Sequence, residues 1–519
     1  MAAAPLTDSP PPALWRDLLP LLRAEDAPAP VSGPRRWWGG ALDVEGLALG
    51  AAQAVAAAVQ GGGRAAGRPL AAGVTSAGTA ASFASYLHLR VNGRAADGFA
   101  PLSGFHRTGD GWIRLHANYP HHERALFAAL GVRDTASLAA ALLECTAENA
   151  EEAVTAQGGV AAAVRTPRQW ADSAPGRAVQ DGPWIRLRTA PAPVPKRNAA
   201  AALRGGDGAV LQGLRVLDFT RVIAGPSGSR LLGALGADVL RIDPPATPEL
   251  PEQYLDTGFS KRSAVADLHD PAALRRIREL LTAADIVLLG YRGRSLTRFG
   301  LDPESLRAEY PGLGVVSLDA WGDSGPWAGR RGFDSVVQAA VGIASIYGDG
   351  DGDGRRPGAL PVQALDYATG LGAAAAAVAL MGARLRGISG WAHLSLARTA
   401  LELLRLPGSA AEAAVGTAKG GAEGTVAGSA DRTPAGELDV DLRSCPSAYG
   451  DLVFVPPPLL VDGHQVEHRW PPGPYGGSDL TWQQLPGRPQ GSRPGRSSDA
   501  SPARSGSSGT GLTNTAGPR

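Results

Sequence analysis

LQGLRVLDFTRVIAGPSGSRLLGALGADVLRIDPP, residues Leu211 to Pro245, reads as a strand, a tight turn, a helix and a second strand in unbroken succession. Leu214 to Phe219 is a short apolar run suited to a strand covered on both faces, and Gly225 with Pro226 makes a turn in which proline takes the first helical position. The helix that follows begins where unpaired N–H groups and a positive dipole end meet the carboxyl edge of a sheet. Open α/β sheets bind their ligands at that edge. A dinucleotide-binding fold would show G-x-G-x-x-G here, with an acidic residue about 20 positions on. Asp243 stands at a suitable distance, but the glycine fingerprint is absent.

Beyond this stretch strands and helices keep alternating as βαβ units. Asp270 and Pro271 start a helix with Leu274, Ile277 and Leu281 on one face, and Ile286 to Leu289 and Val315 to Leu318 are further strands. The expected fold is α/β, a Rossmann-like parallel sheet with helices on both faces over residues 210–406. Upstream, residues 35–190 read as a smaller α+β region. It holds a small-residue helix from Ala41 to Val59 that glycines 61–67 interrupt, and a hairpin within Phe99 to Asn118 that turns at Gly109 to Gly111. Helices follow at His121 to Leu130 and Ser137 to Gln157, then a strand, a turn and a helix across Gly158 to Asp172. Residues 1–34 are expected to be flexible, 191–209 a linker, 407–486 partly ordered, and the Ser/Arg/Gly/Pro tail 487–519 disordered.

Composition narrows the function classes. A net charge of +1 over 519 residues gives no global attraction to nucleic acid or to an anionic membrane, so an anionic ligand must be held locally. Cys145 and Cys445 are far apart and outside any C-x-x-C spacing, which argues against a disulfide framework or a zinc ribbon and fits a cytoplasmic location. The start MAAAPLTDSPPPALW lacks the features of a secretory signal, and the longest apolar stretch, Leu371 to Leu380, is too short to span a bilayer.

RVIAGP, then GADVLRIDPP, then the FSKRS of Phe259 to Ser263 closely resemble, in that order, the opening of the class III CoA-transferases, the family of the formyl-CoA transferases and α-methylacyl-CoA racemases. ADIVLLGYRGRSLTRFGL, WGDSGPWAGRRGFDSVVQAAVGI and LPVQALDYATGLGAAAAAVALMGARLRG extend the resemblance to about Arg405. It implies that Asp366 is the nucleophile and that CoA meets Val222, Ile223, Ala224, Arg241, Tyr291, Arg292, Arg298 and Phe333. It also implies a homodimer. The hairpin and the GGVAAAVRTPRQW of the upstream region are similar to the family's smaller domain, which normally follows the nucleotide-type domain and here precedes it.

Each candidate has a plainer reading. Asp366 is expected just before a helix from about Thr369 to Arg386, where the dipole favours an ionised nucleophile, but any Asp there could be an ordinary cap. GDSGP at 322–326 imitates a serine-protease loop without a histidine in a recognisable triad context. DGDGDG at 349–354 starts like a calcium loop but has Leu360 where the bidentate Glu belongs. His106, His116, His121 and His122 lack the partners of a metal site, so surface and hairpin roles are expected and no metal. Arg292, Arg294 and Arg298 form either a solvated face or a phosphate site. Racemases of the family carry a histidine where Phe333 stands, which argues against racemisation, and Gly420 to Gly428 matches the family's glycine-rich loop poorly. The expected activity is transfer of CoA from an acyl-CoA to a small carboxylic acid through an aspartyl intermediate. A catalytically silent CoA-binding protein, an acyl-CoA racemase and an NAD-dependent oxidoreductase are the alternatives.

Overall fold

The computed structural model describes residues 10–35, 37–96, 98–192, 210–349, 355–406 and 441–483. Every element described below belongs to the compact unit Met1–Trp482. The apolar runs read from the sequence become a seven-stranded sheet in the spatial order Arg262–Val265, Asp238–Asp243, Arg215–Phe219, Ile286–Leu289, Gly314–Asp319, Ile388–Ser395 and Arg186–Pro191. The first six strands are parallel, and in chain order they fall as 3-2-1-4-5-6, the doubly wound arrangement. The upstream strand Arg186–Pro191 closes one edge antiparallel to Ile388–Ser395.

Both faces of the sheet are covered, as near-continuous Val, Leu and Ile runs require. Ile277, Leu280 and Leu281 of helix Pro271–Leu281 pack with Leu217, Val287 and Val315 on one face. Helices Ala224–Ala234 and Ala364–Arg384 pack on the other face with Val216, Leu288 and Val316. These two helices come very close, because an added Cβ on Gly370 would run into the Ala224 carbonyl and the Ser227 hydroxyl. Ala364–Arg384 is long and apolar enough to cross a membrane, yet it lies buried in this core.

The upstream region contributes to the same core. Its small-residue helix is Val44–Ala65 and runs through the glycines expected to interrupt it. Tertiary packing overrides propensity there: a Cβ on Gly61 would meet Leu22, one on Gly63 would meet Leu70, and Gly62 faces Gly382 of the neighbouring helix. Residues 10–35, expected to be flexible, are likewise held, with Leu18 and Leu21 fully buried. The hairpin pairs Gly104–Arg107 with Trp112–Leu115, and Ala161–Ala163 adds a third strand. The helix expected over 137–157 is two, Thr135–Leu143 and Ala147–Ala156, because Thr146 caps a fresh start. Arg443–Ser447 and Gly450–Phe454 form a hairpin against Arg90–Val91. Most of the linker, Gly420 to Gly428, nearly all of DGDGDG and the 487–519 tail lie outside the described residues.

Candidate functional site

Helix Ala364–Arg384 returns the chain from strand Gly314–Asp319 to the parallel strand Ile388–Ser395, so its N-terminus lies at the carboxyl edge of the sheet. Asp366 sits inside its first turn rather than before it. The free N–H groups there are satisfied by another residue. Asp334, the first residue of helix Asp334–Val341, accepts from Asp366 N through Oδ2 at 2.9 Å, and its other oxygen accepts from Gln338 Nε2. Gln338 Oε1 in turn accepts from Leu360 N at 2.9 Å, which fixes the loop leading into the helix.

This arrangement reverses the electrostatics expected from the sequence. Asp366 is only 5% exposed, and its carboxylate has no hydrogen-bond or cationic partner among the described residues. Burial, and after it the Asp334 carboxylate, push the Asp366 carboxyl well above the usual range, whatever the helix dipole contributes. Burial also raises Asp334, to about 6, with Gln338, the backbone of residues 365 and 366 and Arg114 opposing it. The two carboxyls therefore titrate as a pair. Arg114 is itself buried, with its guanidinium over the Phe105 and Phe99 rings at 5.1 and 5.0 Å.

The sheet's strand order reverses between Arg215–Phe219 and Ile286–Leu289, and the crevice outside their carboxyl ends is where such sheets bind ligands. The first strand runs on into Arg221 and Val222, the second into Tyr291 and Arg292. Val222 has φ of 69°, a costly conformation for a β-branched residue, and its N–H donates to Glu249 Oε2 at 2.8 Å. Burial favours a neutral Glu249, but Arg241 and Arg221 overrule it and hold the carboxyl at about 2.

Residues 211–433 match the model of CoA-transferase family III. The segment is thus similar to CoA-transferase family III. Among relatives, the succinate–glutarate CoA-transferase of Agrobacterium fabrum is 35% identical over 179 residues, 31% of this chain and 44% of that protein. The succinyl-CoA:glutarate CoA-transferase of Mus musculus is 33% identical over 173 residues, 31% of this chain and 39% of its own. The chain thus spans less than half the length of these relatives. A crystal structure of a hypothetical protein from Mycobacterium tuberculosis aligns at 32% identity with TM-score 0.34, covering 37% of this chain and 56% of the other.

Within the family segment, the residues named from sequence separate into groups. Val222, Ile223 and Ala224 form the junction between the first strand and helix Ala224–Ala234, with Ile223 at its N-cap. Arg241 is 0% exposed and ion-paired to Asp243 at 2.7 Å and Glu249 at 2.9 Å. It buttresses Glu249 and offers no surface to a ligand, which corrects its placement among the CoA contacts. Tyr291 is half-buried and donates to Asp243 Oδ1 at 3.4 Å. Arg292 is exposed, and Arg298, also exposed, folds over the Phe299 ring at 4.8 Å.

Phe333 stacks on His116 with ring centroids 3.7 Å apart, and His122 meets it edge-on at 5.7 Å. His116 and His122 are buried, whereas surface and hairpin roles were expected. Sequence reasoning missed them because it weighed them only as metal ligands. It also missed Asp334, whose one signal was its place in GFD directly after Phe333. Among the described residues no cluster of three or more His, Cys, Asp or Glu is set to hold a metal ion.

Proposed function

We propose that the protein transfers CoA from an acyl-CoA to a carboxylic acid, with Asp366 as the covalent carrier. The observation that carries this reading is a buried carboxylate without hydrogen bond or counter-cation, placed at the ligand-binding edge of the sheet inside the family segment. An aspartate serving only the fold would be paired there, as buried charges are.

In the proposed sequence the Asp366 carboxylate attacks the thioester carbonyl, the C–S bond breaks, and CoA thiolate leaves an aspartyl-acyl anhydride. Thiolate then attacks the aspartyl carbon, the anhydride C–O bond breaks, and the donor acid departs as carboxylate. The acceptor carboxylate attacks the resulting aspartyl thioester, expels thiolate and forms a second anhydride. Attack of thiolate on the acceptor's acyl carbon yields the new acyl-CoA and restores Asp366. An activated carbonyl, anhydride or thioester, persists at every stage, so no ATP is needed. Arg114 lies on the Asp334 side of the pair and opposes the rise of the Asp334 carboxyl. A homodimer accompanies this reading on the resemblance, and a cytoplasmic location on the spacing of Cys145 and Cys445.

Incubation with an acyl-CoA followed by hydroxylamine should modify Asp366, as read by peptide mass, because the reagent traps activated carboxyl groups. A modified peptide centred on another acid sinks the assignment. Silent CoA binding would give no adduct, and racemisation would show as deuterium wash-in at the α-carbon of a 2-methylacyl-CoA, which we expect to be absent.

A further inference from the structure

The two faces of strand Trp112–Leu115 do different things. Ile113 and Leu115 enter the upstream region's own core with Leu102, Leu126 and Leu138, so Arg114 and His116 face the other way, toward helix Asp334–Val341. Two contacts pin the upstream sheet along that helix. His116 stacks on Phe333 at one end, and at the other Arg165 N donates to the Ala339 carbonyl at 3.1 Å. His116 N continues the strand pairing by donating to the Val160 carbonyl at 3.0 Å, and Val164 N donates to the Trp112 carbonyl at 2.9 Å. Arg114, opposite Ala162, therefore lies between the two pins and alongside the first turn of the helix that begins at Asp334.

Arg114 is 7% exposed, its Nε is buried, and it has neither a hydrogen bond nor an ion pair among the described residues. The Phe99 and Phe105 rings beside it offer π faces and no acceptor for its N–H groups. Burial pulls the guanidinium down to about 10 against the attraction of Asp334. Two further polar groups nearby are unused. His116 Nδ1 and Ser335 Oγ, in residues more than nine-tenths buried, are without a hydrogen-bond partner. Buried charges are paired as a rule, and an unpaired one is costly. A carboxylate accepting from Arg114 would satisfy the guanidinium as no described residue of the chain does.

We infer that Arg114, with His116 and Ser335 beside it, binds the carboxylate of the acid exchanged at Asp366, and that this acid is a monocarboxylate with an apolar body. The inference rests on the transfer reading above. The planar fork of an arginine grips a carboxylate through two parallel hydrogen bonds. Charge sets the order of events: once Asp366 carries CoA as a thioester it is neutral, so the arriving carboxylate meets Asp334 as its acidic neighbour, and the guanidinium offsets that repulsion. Phe99, Phe105 and Phe333 supply the walls. Hydrocarbon gains by burial against such rings, whereas a second carboxylate would lose its hydration there with nothing in return. Phe99 is 42% exposed, so the way in from solvent runs past its ring.

The test is calorimetric binding of phenylacetate, glutarate and CoA to the full chain, which needs no turnover. Phenylacetate should bind at least about tenfold more tightly than glutarate. Arg114→Met should weaken phenylacetate about tenfold or more and leave CoA unchanged. The same variant separates binding from architecture. Removing a buried cation that has no partner should leave the thermal midpoint of the ligand-free protein unchanged or raised, whereas loss of an arginine that holds the fold together would lower it. Arg114→Lys, which keeps the charge without the fork, should fall between the parent and Arg114→Met. Equal or tighter binding of glutarate, no phenylacetate binding to the parent, an unaltered phenylacetate affinity in Arg114→Met, or a loss that falls on CoA or on the midpoint instead would overturn the inference. Failure of transfer itself would show separately, as the absence of an Asp366 adduct when the parent meets an acyl-CoA, a step that precedes the acceptor acid.

Discussion

The helices Val44–Ala65 and Ala364–Arg384 lie against each other, are built from the same small residues, and each has an aspartate at or within its opening turn. Asp43 is the N-cap of the first: it accepts from Gly46 N at 2.8 Å and is ion-paired to Arg35. Asp366 of the second has its capping role taken over by Asp334 and is left with a like charge for a neighbour. Leu-Asp before a run of small residues therefore states where a helix begins and not what its aspartate does. The difference lies in what distant segments place beside each carboxylate: a guanidinium in one case, a second carboxylate in the other.

The sharpest way to break this contrast is to neutralise each acid in turn. Asp366→Asn should lower transfer by about a thousandfold or more, since the covalent route is lost, whereas Asp43→Asn should leave turnover within a few-fold. Comparable losses in the two variants, measured as kcat/KM, would remove the distinction. Next in size is the close contact that seats the second helix. Gly370→Ala should destabilise by about 1–3 kcal/mol in urea unfolding, because the added methyl meets the Ala224 backbone.

A third expectation concerns stability against pH. The folded protein raises the Asp366 pKa above its unfolded value, so the native state binds more protons and stability falls as pH rises past the ordinary carboxylate range near about 4. Asp366→Asn lacks that fall and should be more stable than the parent at pH 7, each unit of displacement being worth about 1.4 kcal/mol. Asp43→Asn should instead cost about 1 kcal/mol at pH 7, the loss of an ordinary cap. A lower thermal midpoint in Asp366→Asn contradicts the assignment. The smallest effect on the pair is expected from Arg114→Met, which removes a cation that opposes the rise of Asp334. The lower of the two apparent pKa values of the pair should move alkaline in the pH–rate profile; an unmoved profile detaches Arg114 from the pair.

Much of the fold was legible because apolar runs and turn residues agree locally with the sheet they build, as in Leu214 to Phe219 and Ile286 to Leu289. Gly62 was misread because it faces Gly382, in a helix some 320 positions away in the chain, which no local window contains. The site was legible only in part. Asp366, Arg292 and Phe333 fall in matched motifs, but the burial of Arg241 depends on Asp243 and Glu249 closing around it. His116 and His122 reach Phe333 only because the upstream hairpin and helix dock onto the start of helix Asp334–Val341. Three-dimensional convergence of that kind leaves no spacing to read.

The outer strands of the sheet carry a last consequence. One flank is closed by Arg186–Pro191, and on the other the Ser263 carbonyl accepts from Ser478 N at 2.8 Å while Ala264 bridges to Gly477. Neither cover comes from the nucleotide-type region itself. A shortened chain of residues 210–406 would keep the six parallel strands but present two rows of unsatisfied amides to solvent. Such a fragment, which also loses helix Val44–Ala65 from its core, should self-associate or aggregate during expression.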